Sequence, residues 1–74
     1  MAKANRLFIC LANAGHEVSL ERLKIYFALP DAKAERRGFL RIVDESGEDY
    51  LYPSQRFVAA DPPVSLRRAI LQAA

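Results

Sequence analysis

The sequence predicts a mainly β domain, five short strands curling into a small barrel with a short C-terminal helix. Three observations predict it. Short runs rich in β-branched and aromatic residues recur along the chain, too short for helices and separated by turn residues. Two of these runs flank Glu45-Ser46-Gly47, which marks a hairpin. After Asp61-Pro62-Pro63, the residues Leu66, Ala69, Ile70 and Ala73 recur at helical spacing. Strands are expected near residues 6–12, 23–29, 39–44, 48–52 and 57–60, and a helix near 64–73. Together they make a single domain over residues 1–74, with the barrel over 6–60.

The first strand, Arg6 to Ala12, is built on Phe8, Ile9 and Leu11 and ends at Asn13-Ala14-Gly15, where Asn and Gly tolerate the left-handed region. The stretch from His16 to Leu29 reads two ways. Ser19 could cap a helix, yet from Leu23 the apolar positions alternate with Lys24, Tyr26 and Ala28, the period of a half-buried strand. A strand over 23–29, fed by a loop from Asn13 to Arg22, is preferred. Pro30 lacks the N–H a ladder needs and closes it. Asp31 to Gly38 forms one or two helical turns, with Asp31 as the cap, Arg36 and Arg37 at the negative end of the dipole, and Gly38 just past the end. The hairpin follows. Pro53-Ser54-Gln55-Arg56 makes a tight turn into the last strand. Asp61 fits the N-cap of the final helix and Pro62 its first position.

Composition limits the function classes. A chain of 74 residues buries only roughly 60% of the surface exposed by its unfolded form. One cysteine excludes an internal disulfide, and Cys10 with His16 cannot make a four-ligand zinc site. No apolar run approaches the ~20 residues of a membrane-spanning helix, and the start of the chain does not read as a signal peptide. A cytoplasmic location is therefore expected. The net charge of +2 is unevenly spread: residues 1–42 hold eight cations and four anions, residues 43–53 four anions and no cation, and residues 54–74 three cations and one anion. Such patches steer encounters without naming the partner.

Two resemblances refine the fold. The segment from Tyr50 to Val58 resembles the closing segment of Src-homology-3 domains, in which a strand runs into Pro-Ser-Asn-Tyr-Val and a tight helical turn. Pro53 and Ser54 match, Phe57 stands for the Tyr, and one residue is inserted before it. More widely, Ser19-Leu20-Glu21, Tyr26, Leu29-Pro30-Asp31, Leu40-Arg41-Ile42 and the block from Asp44 to Pro53 resemble a family of short, uncharacterised bacterial proteins. That resemblance spans about residues 6 to 60. It implies a five-stranded Src-homology-3-like barrel and a bacterial cytoplasmic setting, and no activity. The chain departs from peptide-binding Src-homology-3 domains: its first strand gives Ile9-Cys10-Leu11-Ala12-Asn13, and it has no Trp. Recognition of Pro-rich ligands depends on an aromatic groove that these residues do not supply.

No constellation reaches a catalytic motif. Asp44, Glu45, Glu48 and Asp49 surround one turn and could hold a hard cation, but their spacing is not that of a calcium loop, and a solvated hairpin tip that deters edge pairing is the simpler reading. Cys10 beside His16 could act as a nucleophile, but a cysteine between Ile9 and Leu11 is better explained as core packing, and His16 as an exposed loop residue. The expected function is a non-catalytic module binding an unknown protein, its surface combining Tyr26, Tyr50, Tyr52 and Phe57 with the Asn13–Arg22 loop. The alternative is a barrel that binds nucleic acid through Lys33, Arg36, Arg37 and Arg41, a face that Arg22 and Lys24 could extend. No catalytic residue, cofactor, metal, membrane or small-molecule substrate is expected.

Overall fold

The computed structural model describes residues 6–61 and 63–73. Five strands are present: β1 (Arg6–Cys10), β2 (Ile25–Leu29), β3 (Phe39–Val43), β4 (Asp49–Pro53) and β5 (Phe57–Ala60). Helix α1 (Ala32–Arg36) links β2 to β3, a 3-10 turn (Ser54–Arg56) links β4 to β5, and α2 (Val64–Ala73) follows. The strands form one antiparallel sheet in the order β4-β3-β2-β1-β5. The two edges are β4 and β5, and no ladder joins them among the described residues, so the architecture is a five-stranded sheet with a short C-terminal helix.

The expected elements form close to their expected places, for identifiable local reasons. Asp31 Oδ1 accepts the Ala34 N–H at 3.0 Å and caps α1. Gly38 and Gly47 both take φ of +83°, the left-handed conformation expected for the residue past α1 and for the hairpin turn. The second strand begins at Ile25 rather than Leu23. Leu23 itself has φ +67° in a turn ahead of the strand, so alternation alone overran the true boundary. Helix α2 begins at Val64, and the Pro63 carbonyl accepts the Arg67 N–H at 2.9 Å, which makes Pro63 rather than Asp61 the cap position. Pro62 lies outside the described residues.

Register sorts the side chains onto two faces, because opposed residues share a side of the sheet and neighbours along a strand alternate. Phe8 opposes Tyr26 and Ala59, Cys10 opposes Phe57, Ala28 opposes Ile42, and Leu40 opposes Tyr52. These residues form the inner face, and all but Ala59 are buried. The loop between β1 and β2 folds across this face and contributes Leu20, which is fully buried. Each large apolar side chain buried here, such as Phe8, Leu20, Leu40 or Ile42, stabilises the fold by roughly 1.5–3 kcal/mol through removal from water.

The other face is apolar as well. Leu7, Ile9, Ile25, Phe27, Leu29 and Val43 occupy it, and Ile70 and Ala73 of α2 line a groove over Leu7, Ile25, Phe27 and Val43. The stripe on α2 is only partly covered. Ile70 is half-buried, Ala69 and Ala73 are exposed, and Leu66 is 52% exposed. Nothing on α2 is fully buried.

Candidate functional site

The structure separates the four expected aromatic residues. Tyr26, Tyr52 and Phe57 are buried, and the Tyr52 and Phe57 rings meet edge-on with centroids 6.3 Å apart. Only Tyr50 is exposed. The four cannot form one binding surface: register puts all of them on the inner side of the sheet, where Tyr26, Tyr52 and Phe57 are covered and Tyr50 alone of the four is not. Alternation in the sequence shows which residues share a side, but not which side meets water.

The hairpin tip is exposed from Glu45 to Asp49, as its charge implied, with one exception at its base. Asp44 is buried, at 6% exposure. Its Oδ2 accepts the Tyr52 hydroxyl at 2.6 Å, and its Oδ1 accepts the Ser46 N–H at 2.9 Å and the Ser46 hydroxyl at 2.5 Å. Burial by itself pushes the Asp44 carboxyl up, but the Ser46 and Tyr52 bonds together hold it below its ordinary value. Glu45 is likewise engaged. Its Oε2 accepts the Tyr26 hydroxyl at 2.5 Å and pairs with Lys24 Nζ at 2.7 Å, and these bonds lower its pKa. The Glu45 N–H donates to the Ser19 carbonyl, tying the tip to the β1–β2 loop. Burial and then the carboxylate partner push both tyrosines above their ordinary values.

Carboxylates committed to internal hydroxyls and cations have little left for a metal ion, and among the described residues no group of three or more His, Cys, Asp or Glu is arranged to hold one. Cys10 is fully buried, its thiol pushed up by burial, and its Sγ lies 3.7 Å from the Ala12 carbonyl oxygen. This is core packing and not an activated thiolate. His16, expected as an exposed loop residue, is half-buried and packs edge-on against Tyr52 at 5.1 Å.

The expected basic set is brought together in part. Lys33, Arg36 and Arg37 are exposed on α1 and just beyond it. Arg41, on the outer face of β3, spans two carboxylates: Nε to Asp31 Oδ2 at 2.8 Å and Nη1 to Asp49 Oδ2 at 2.9 Å. Lys33, Arg37 and Arg41 stand around an open cleft with Asp31, Ala34, Phe39 and Leu51. Phe39 is 38% exposed and Leu51 46% exposed, and both lie on the outer face with Arg41. Sequence reasoning singled out the cations but missed these two apolar neighbours. The available signal was their period-two spacing from Arg41 and from Pro53 on paired strands.

No protein-family model, no curated protein and no solved structure matches the chain. Among the described residues no helix is long and apolar enough to cross a membrane.

Proposed function

We propose that this protein is a non-catalytic protein-interaction module built on a Src-homology-3-like barrel, and that it docks through the outer cleft between α1 and the β3–β4 hairpin. The carrying observation is the exposure of Phe39 and Leu51 side by side on a sheet face, bordered by Lys33, Arg37 and Arg41. Exposed apolar groups with an Arg-rich border are the ordinary composition of a protein-binding surface. The barrel is supported by the strand order, the 3-10 turn at Ser54–Arg56 and the meeting of Tyr52 and Phe57 from the two edge strands. The bacterial cytoplasmic setting rests on the resemblance of the Asp44–Pro53 block. The non-catalytic reading is supported by the inward commitment of Cys10, Asp44 and Glu45.

The test is capture from a bacterial lysate by the immobilised chain. A specific partner retained by the wild-type chain and by a Val64→Ser control, but lost by Phe39→Ser/Leu51→Ser, supports the reading. A partner held equally by all three chains overturns it.

Nucleic-acid binding is the second reading, and the exposed Lys33, Arg36 and Arg37 favour it. Stacking aromatics usually complete such a site, and two of the three tyrosines are buried.

A further inference from the structure

The distribution of charge around the cleft identifies the chemistry of its occupant. Among the described residues, Arg6 pairs with Glu35, Lys24 with Glu45, and Arg41 with Asp31 and Asp49. Lys33, Arg36 and Arg37 have no such partner and are exposed along one short segment. Helix α1 is held in place by the Asp31 cap and by the buried Ala34, so these cations stand on a fixed support. Below them lie Phe39 and Leu51, exposed and apolar.

Resting on the docking reading above, we infer that the cleft takes a short acidic peptide segment: an apolar anchor side chain seated on Phe39 and Leu51, with flanking carboxylates meeting Lys33 and Arg37. Arg41 contributes differently. Asp31 and Asp49 already neutralise it, and the two bonds fix its guanidinium as a wall of the cleft.

Two features favour a carboxylate peptide over a nucleic-acid strand. Asp31 lines the cleft, and Asp49 is paired to Arg41 in its wall; both carboxylates oppose a continuous phosphate backbone, whereas a peptide can place its charges only where cations stand. Tyr26 and Tyr52 are in the core, leaving Phe39 as the aromatic ring that lines the cleft. Stacking of successive bases needs more than one such ring.

The experiment titrates the isotope-labelled full chain, by amide chemical shift, with three blocked peptides that share a Leu-Phe centre and are flanked by Glu, Gln or Lys. An oligothymidylate strand is titrated in parallel. The Glu peptide should bind about fivefold to tenfold more tightly than the Gln peptide, the yield of two exposed ion pairs. Its shifts should cluster on Lys33, Ala34, Arg37, Phe39 and Leu51. Arg37→Glu should abolish the preference for the Glu peptide and Phe39→Ser should weaken all three peptides. Should Phe39→Ser fold poorly, Leu51→Ser makes the same test. Equal binding of the Glu and Gln peptides at the cleft would overturn the acidic specificity while leaving the docking reading intact. Failure of every peptide to move the cleft amides at millimolar concentration would overturn both. Cleft shifts produced by oligothymidylate in place of the peptides would overturn the inference in favour of nucleic acid.

Discussion

Asp44 shows at the scale of one residue how a charged turn can be built into a core. Its carboxylate is buried and tolerable there because Tyr52 and Ser46 donate to it. Removing one donor leaves the carboxylate under-satisfied, so Tyr52→Phe should cost about 1–3 kcal/mol in urea denaturation, while Tyr50→Phe at the exposed neighbour should be nearly neutral. The same bonds set a pH dependence. Asp31, Asp44 and Glu45 all have lowered pKa values in the folded chain, so the unfolded chain binds protons first as pH falls. Their contribution is present above the ordinary carboxylate range near about 4 and is lost as pH drops through their lower folded values. The urea midpoint should therefore hold steady from neutral pH to about 5 and fall below that, and Asp44→Asn should flatten part of the fall. Leu23 is the opposite case, a residue at odds with its backbone. At φ +67° its Cβ is crowded, and the side chain is 65% exposed with little packing to lose. Leu23→Gly should raise stability by roughly 0.5–1 kcal/mol, since relief of about 1–2 kcal/mol exceeds the entropy a glycine adds to the unfolded chain.

At the scale of elements, the two helices depend on the sheet in different ways. Helix α1 has only five residues and cannot stand alone in water. Its cap, the buried Ala34 and the Asp31–Arg41 pair hold it against β3. Asp31→Ala should cost about 1 kcal/mol and speed amide exchange at Ala34 and Glu35. Helix α2 is longer but rests on the outer face through Ile70 and Ala73 with no fully buried side chain. Ile70→Ala should therefore cost only about 1 kcal/mol, whereas Ile42→Ala in the fully buried inner layer should cost about 2–5 kcal/mol. Denaturation of the two variants side by side checks the contrast. The hairpin tip and the β1–β2 loop also act as one unit. Glu45 bonds both Tyr26 and the Ser19 carbonyl, and Tyr52 lies 3.0 Å from the Ser19 hydroxyl. This is why a loop as long as the one from Leu11 to Lys24 can close over the core without a secondary structure of its own.

Over the whole molecule the sheet has two apolar faces with different fates. The inner one is sealed by curvature, by Leu20 and by the hairpin tip. The outer one is covered by α2 over Leu7 and Phe27 and by α1 at one margin, and it remains open at Phe39, Leu51 and Val58. The docking proposed above would use the part of the outer face left open. The cations beside that part are exposed, so the preference for an acidic peptide should shrink as salt is raised toward about 1 M, where charges are screened within roughly 3 Å. Peptide affinity measured at low and high salt checks this, and the apolar share of binding should persist.

The amino-acid order by itself determined which elements form and their order, though not every boundary. Turn residues at Gly38, Gly47 and Pro53, the Asp31 cap and period-two alternation are local constraints on the backbone, and all were legible without coordinates. The tight turn after Pro53 and the short strand that follows it were legible in the same way. What local pattern could not reveal was which side of the sheet meets water, because alternation is symmetrical between the two faces and the outer face is nearly as apolar as the inner. Only the tertiary structure decided that Tyr26, Tyr52 and Phe57 turn inward, that Asp44 and Glu45 are spent on internal hydroxyls and Lys24, and that Phe39 and Leu51 lie open beside Lys33 and Arg37. The physical reason is that burial is settled by long-range closure: the β1–β2 loop and the hairpin tip meet across the inner face, and residues far apart in the chain jointly exclude the water that either alone would admit.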